Sequence, residues 1–263
     1  MKPQYRPEID GLRTIAVLSV IIYHANIELF SGQLFKGGFF GVDIFFVISG
    51  FLITSLITNE LSQTGKFSIK KFYERRARRL LPALLIVMLF TLPFAWWNLL
   101  PNQLVDFSKS QVTSLLFSSN IYWNSSLEEY GAEAGLLKPF LHTWSLAVEE
   151  QYYIVFPFML IAIYRWHKTH IVALLTLGLL LSLLFADWFS PLNPSFSFYM
   201  LPSRFWELLA GGLLASILYF HPQKNNDALL NKCMPALGFC FIAYSIVFME
   251  LNSNHPGFIT LIL

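Results

Sequence analysis

The 263 residues are 55% hydrophobic and 17% aromatic, only 13% are charged, and the formal net charge is +2. An average soluble domain is about 25% charged, so this composition excludes a water-exposed globular chain and points to an integral membrane protein. The small net charge excludes little by itself, because the positive residues are clustered.

The first span is expected at residues 11–30, GLRTIAVLSVIIYHANIELF. Lys2 and Arg6 ahead of an apolar run resemble the start of a signal peptide. Arg13 and His24 inside that run, and no clear small-residue cleavage site, favour a retained helix. Arg13 and His24 are eleven positions apart, close to three turns, so they share a helix face about 16 Å apart along the axis. An ionisable residue inside a bilayer is costly and marks a functional candidate. Arg13 alone would suit snorkelling to the headgroups, whereas His24 lies several residues from either end of the run.

A second span is expected at residues 39–57. Its core, GVDIFFVISGFLIT, sets Asp43 among aromatics and puts Ser49-Gly50 where helices can approach closely. Residues 59–79 are amphipathic and basic, with Lys66, Lys70, Lys71, Arg75, Arg76, Arg78 and Arg79 against Glu60 and Glu74, and a third span follows at 80–97. Residues 98–139 form the longest non-spanning stretch, with Asp106, Glu128, Glu129, Glu133 and a helical patch near 105–117. The fourth span, 140–164, carries HTWSLAVEEQYY, and a fifth ends near Ala186. A Pro- and Ser-rich loop (187–203) leads to a sixth span at 204–220. A link with Lys224 and Lys232 precedes a seventh at 234–248. The closing PGFITLIL opens an eighth run shorter than the roughly 20 residues a crossing needs. The expected fold is therefore all-α: a polytopic transmembrane bundle of seven complete spans and the start of an eighth, one domain over 1–263, incomplete at its C-terminus.

The Lys/Arg-rich segments are the N-terminus and residues 66–79, 165–168 and 224–232. All fall on one side if the spans alternate, which makes that side, and the N-terminus, cytoplasmic. His24 and Asp43 then sit at similar depth in adjacent antiparallel helices. Two readings of the pair stay open: a carboxylate that orients and activates a histidine base, or a structural hydrogen bond between helices. Glu149 and Glu150 point about 100° apart, so one is expected to face the core and the other to pack elsewhere. Arg204 and Glu207, three apart, can pair on one helix face. The run Arg75-Arg76-Ala77-Arg78-Arg79 reads either as a topology and anionic-lipid signal or as a phosphate site for arginine forks. A nucleic-acid role is not expected, because the patch abuts the membrane. Cys233 and Cys240 read as packed helix residues. No zinc spacing, Walker A, dinucleotide fingerprint or GxSxG elbow occurs, so no metal or permanently bound cofactor is expected.

Taken together, Arg13 with His24, GVDIFFVISGFLIT (41–54), RARRLLP (76–82), HTWSLAVEEQYY (142–153) and SRFWELLAGG (203–212) resemble, in order, the acyltransferase-3 family of bacterial membrane O-acyltransferases. The resemblance spans about four-fifths of the chain. It implies a multi-pass enzyme of the bacterial inner membrane that moves an acyl group, usually acetyl, from cytoplasmic acyl-CoA to a hydroxyl of an extracytoplasmic glycan such as O-antigen or peptidoglycan. By resemblance His24 is the essential histidine and Arg13 its motif partner, with Asp43 and Glu149 further catalytic candidates. Arg76 and Arg79 are the donor-binding arginines, and Trp144, Arg204 and Glu207 acceptor-contact candidates. The implied partners are membrane lipid, acyl-CoA and a glycan or lipid-linked saccharide. Family members commonly have about ten spans, and some add an SGNH hydrolase-like domain. His24 is expected to act either as a general base or as a carrier through an acyl-histidine. The rival reading is a transporter, which would also bury charge but gives no reason for the basic RARRLLP stretch.

Overall fold

A computed structural model of the chain describes residues 6–29, 32–127, 138–220, 228–250 and 255–262. Glu128, Glu129, Glu133 and Lys224 lie outside the described residues. The chain divides into two compact units, one of residues 1–59 and 152–263 and one of residues 60–151. Apart from a two-residue antiparallel ladder between β1 (Glu28–Leu29) and β2 (Gly32–Gln33), its described regular structure is helical.

In the first unit, α1 runs Pro7–His24, opened by a proline in its first turn. A 3-10 turn at Gly38–Phe40 feeds α2, Gly41–Thr64. Then come α6 (Thr143–Trp166, in this unit from Tyr152), α7 (Ile171–Phe189), the short α8 (Pro194–Tyr199), α9 (Leu201–Phe220) and α10 (Ala228–Phe248). Ala16 of α1, Ile44 and Ile48 of α2 and Ile246 of α10 form one apolar core. Leu183 and Ala186 of α7 form another with Trp206 of α9. The expected close approach at Gly50 is present. A Cβ there would run into the Leu208 carbonyl, and one at Gly211 into the Val47 carbonyl, so α2 and α9 cross backbone to backbone. Asp43 meets Arg204 at one end of this contact, and Thr54 Oγ1 faces Gly212 at the other. The order is the same along both helices, so α2 and α9 run parallel.

In the second unit, α3 runs Ile69–Asn98 and is capped by Ser68, whose hydroxyl accepts from the Lys71 N–H. Pro101 opens α4 (Pro101–Leu115), the helix expected near 105–117, and α5 covers Ser119–Ser126. Polar contacts tie these to the start of α6. Ser114 and Thr143 hydroxyls lie 2.7 Å apart, the Asn120 and Gln151 amides bond reciprocally, and the buried Trp123 donates to the Phe140 carbonyl.

Four described stretches are long and apolar enough to cross a membrane: Gly38–Thr64, Ile69–Asn98, Thr143–Trp166 and Lys168–Phe189. They correspond to the expected second to fifth spans. The other three expected spans fall on the helices α1, α9 and α10, which do not meet that measure among the described residues. The expected first span also reaches too far. Its helix stops at His24 because Asn26 takes a left-handed backbone (φ 48°) and the chain turns into the β1–β2 ladder. Gly211→Ala is expected to cost about 1–3 kcal/mol through forced separation of α2 and α9. Gly11→Ala, inside α1 with nothing near its Cβ, is the control and is expected to stabilise by up to about 1 kcal/mol through helix propensity. Thermal unfolding in detergent checks both.

Candidate functional site

His24 is the last residue of α1 and is exposed. Its Nδ1 lies 2.9 Å from the Val20 carbonyl, and its ring edge meets Tyr23 at 5.2 Å between centroids. A carbonyl only accepts, so Nδ1 carries a hydrogen, and in the neutral ring the lone pair is then on Nε2. A backbone oxygen one turn back therefore does the orienting that the sequence assigned to Asp43. Arg13, on the same face, pairs with Asp10 at 3.5 Å.

Asp43 turns inward instead. Its Oδ1 accepts from Arg204 Nη1 at 2.6 Å, and the same nitrogen donates to Glu207 Oε1 at 2.9 Å. The expected Arg204–Glu207 pair is present, but as half of a buried triad: Arg204 is 1% exposed, and Asp43 and Glu207 are as deeply buried. Arg204 Nε donates to the Phe198 carbonyl, and the guanidinium stacks 5.0 Å from the Phe198 ring. Asp43 Oδ2 and Glu207 Oε2 are buried without hydrogen-bond partners, so the triad retains two unfilled acceptor positions.

A residue that the sequence reading missed completes this cluster. His255, 8% exposed, receives a hydrogen bond from Arg204 Nη2 at its Nε2 (3.1 Å) and lies 3.7 Å from Asp43 Oδ2. Arginine has no acceptor, so Nε2 is unprotonated and Nδ1–H donates to Thr260 Oγ1 at 3.2 Å. The rings of Phe39 and Phe40 close over it edge-on, at 5.2 and 5.3 Å. Burial first, and the Arg204 charge second, push the His255 pKa well below 6.5. The one signal in the sequence was a histidine directly ahead of the Pro-Gly that opens the expected eighth run. Two rings, Tyr23 and Phe39, stand between His24 and His255.

In the second unit Arg76 is held by both glutamates. Its Nε and Nη2 donate to Glu150 Oε1 at 2.9 and 2.7 Å, and Nη2 reaches Glu149 Oε1 at 3.4 Å. Glu150 is buried and Glu149 half-buried, in line with the expectation that one of the two faces the core, yet one guanidinium fork bridges the 100° between these neighbours. Arg75 approaches Glu60 at 3.9 Å and Arg78 pairs with Glu74 at 2.7 Å. Arg79 is exposed and enters none of the described ion pairs or hydrogen bonds. Trp144 is buried, so its ring offers no surface face to a sugar.

A family model described as "Acyltransferase domain" matches residues 6–263. The chain belongs to the acyltransferase-3 family. It is 36% identical over 226 residues to "O-acetyltransferase OatA" of Staphylococcus aureus, covering 82% of this chain and 35% of that protein. It is 34% identical over 258 residues to "Peptidoglycan O-acetyltransferase OatA" of Listeria monocytogenes, covering 94% of this chain and 40% of that protein. The chain thus spans well under half the length of these relatives. No solved structure matches it. Of the two histidines, His24 is exposed and His255 is held between Arg204 and Thr260.

The depressed pKa of His255 has a measurable consequence. The unfolded chain takes up a proton there near pH 6.5 and the folded chain does not. The contribution of His255 to stability is therefore level above about pH 6.5 and falls below it, by at most about 1.4 kcal/mol per pH unit. His255→Gln keeps an acceptor for Arg204 and should flatten this acid slope. Unfolding midpoints at pH 7.5 and 5.5 for both proteins check it.

Proposed function

We propose that this chain is the membrane domain of an O-acetyltransferase that moves an acetyl group from cytoplasmic acyl-CoA to a glycan hydroxyl, peptidoglycan foremost, on the far side of the membrane. The observation that carries this reading is His24: exposed, oriented through Nδ1 by the Val20 carbonyl, with Nε2 free to take a proton. In the reaction Nε2 removes the acceptor hydroxyl's proton as that oxygen forms a bond to the thioester carbonyl carbon. The C–S bond then breaks, and the CoA sulfur leaves with the proton from the imidazolium. A base so placed contributes about 10²–10⁴-fold. The same free Nε2 supports a second version, in which it attacks the thioester itself and carries the acetyl as an acyl-histidine.

Arg79 is better placed than Arg76 to meet the CoA phosphates, because two carboxylates already occupy the Arg76 fork. The cytoplasmic location of the N-terminus and of residues 66–79 rests on the distribution of basic residues. The parallel run of α2 and α9 supports the alternation behind it. A parallel pair needs an odd number of crossings between its members, and α3, α6 and α7 are the three helices between them that are long and apolar enough.

Transfer of radiolabelled acetyl from acetyl-CoA to lipid-linked glycan, by the complete protein in vesicles, tests the reading. His24→Ala should lose about 10²–10⁴-fold of the transfer and keep wild-type thermal stability, whereas Asp43→Ala should lose folded protein. Normal turnover in His24→Ala would refute both versions. Acetyl label trapped on wild-type protein without acceptor, and absent from His24→Ala, would replace the general base by the acyl-histidine.

Orientation is tested with Cys233 and Cys240 changed to Ser and single cysteines introduced. A membrane-impermeant maleimide applied from outside should label Asn102→Cys and spare Lys70→Cys. The reverse pattern would invert the proposed topology.

A further inference from the structure

Helix α4 is built the wrong way round for a helix in water. On a 3.6-residue repeat its buried side carries Phe107, Ser110 and Ser114, two of the three small and polar. The opposite side exposes Val105, Val112, Leu115 and, at the cap, Leu116. Asn102, Asp106, Lys109 and Thr113 form a narrow polar strip along one edge of that apolar face. Between α4 and α5 the face opens into a mostly apolar groove lined by Leu104, Val105, Val112 and Tyr122, with Ser108 among them and Lys109 and Thr113 on its rim.

What lies beside this face follows from α3. From Leu80 onward that helix is about 28 Å long at 1.5 Å per residue, close to the roughly 30 Å of a bilayer's hydrocarbon. Trp96 and Trp97 at its end are 75% and 85% exposed, as anchors at the lipid headgroups are. Only Leu99 and Leu100 separate Asn98 from the start of α4 at Pro101, so α4 begins at the depth of that tryptophan pair. Lys109 makes no described hydrogen bond, its nearest acid being Asp106 at 3.9 Å. It stands at the border between apolar face and polar strip, where a snorkelling ammonium meets phosphate.

We propose that α4 lies in the membrane–water interface, apolar face down, and that its groove with α5 holds one acyl chain of an anionic phospholipid whose phosphate is met by Lys109. The polar strip faces water, and α5 forms the far wall through Tyr122, whose hydroxyl donates to the Asp106 carbonyl at 3.3 Å. A second copy of the chain or another protein segment would cover the same face without reading the headgroup charge.

The test uses the full-length protein in phosphatidylcholine–phosphatidylglycerol vesicles, with Cys233 and Cys240 changed to Ser and nitroxide labels at Val105, Val112 or Asn102. Power saturation should show Val105 and Val112 colliding with lipid-soluble oxygen and screened from a water-soluble nickel chelate, with the opposite preference at Asn102. Chelate access at Val105 and Val112 equal to that at Asn102 would place the helix in water and overturn the proposal. So would shielding from both reagents, which is the signature of a protein partner. For the headgroup, native mass spectrometry should find the ratio of bound phosphatidylglycerol to phosphatidylcholine lowered about fivefold by Lys109→Gln. An unchanged ratio would remove Lys109 from the site. These readouts do not depend on acetyl transfer, so they stand or fall apart from the proposed activity.

Discussion

The fold of the larger unit depends on one guanidinium. Arg204 is 1% exposed in an apolar helix, and an unpaired charge so placed would cost several kcal/mol even after relaxation. Its nitrogens are met by Asp43, Glu207, the Phe198 carbonyl and His255, which belong to α2, to α9 itself, to α8 and to the segment after α10. Three stretches far apart in sequence, α2, α8–α9 and the segment after α10, must therefore be in place before the charge is compensated. Such a group specifies geometry more than it adds net stability, since ion pairs in low dielectric gain little over apolar packing. The backbone contact at Gly50 and Gly211 lies seven residues from Asp43 and Arg204 respectively, two turns along the same faces. Charge pairing and close approach thus fix one register between α2 and α9.

This division of labour explains the two histidines. His255 has both ring nitrogens committed, one as acceptor from Arg204 and one as donor to Thr260, and three phenylalanine rings around it. A proton arriving there would face Arg204, so the ring serves the charge cluster only while neutral. His24 has one nitrogen committed and to an uncharged partner. Among the described residues no carboxylate or cation contacts its other nitrogen.

Much of this was legible in the sequence, wherever the controlling interaction was local. Apolar length gave four helices, Ser49-Gly50 gave the helix contact, and the three-residue spacing gave the Arg204–Glu207 pair. The His24–Asp43 partnership was misread for two physical reasons. Depth was counted along a helix assumed to reach residue 30, whereas the left-handed Asn26 ends it at His24. Equal depth also says nothing about the direction of a side chain, and Asp43 points to the helix that carries the countercharge. Arg76 with Glu149 and Glu150 had the same difficulty: each residue stood out alone, but a partner 73 or 74 positions away follows from packing, not from spacing. His255 gave only its Pro-Gly neighbour as a signal, because apart from Thr260 its partners come from other segments.

The backbone anchoring of His24 constrains the chemistry that the site can support. In a carboxylate–histidine pair, the negative partner stabilises the imidazolium that forms when the base takes its proton. The Val20 carbonyl offers a dipole but no charge. In the proposed acetyl transfer the imidazolium would be stabilised by solvent reaching an exposed ring, by the departing CoA sulfur, or by not persisting at all. The last two favour a concerted transfer, in which the proton passes through His24 to the leaving sulfur while the acceptor oxygen attacks. An exposed histidine at a helix end, not one sealed behind an ion pair, suits that sequence, because both acceptor and donor must reach the same nitrogen in turn.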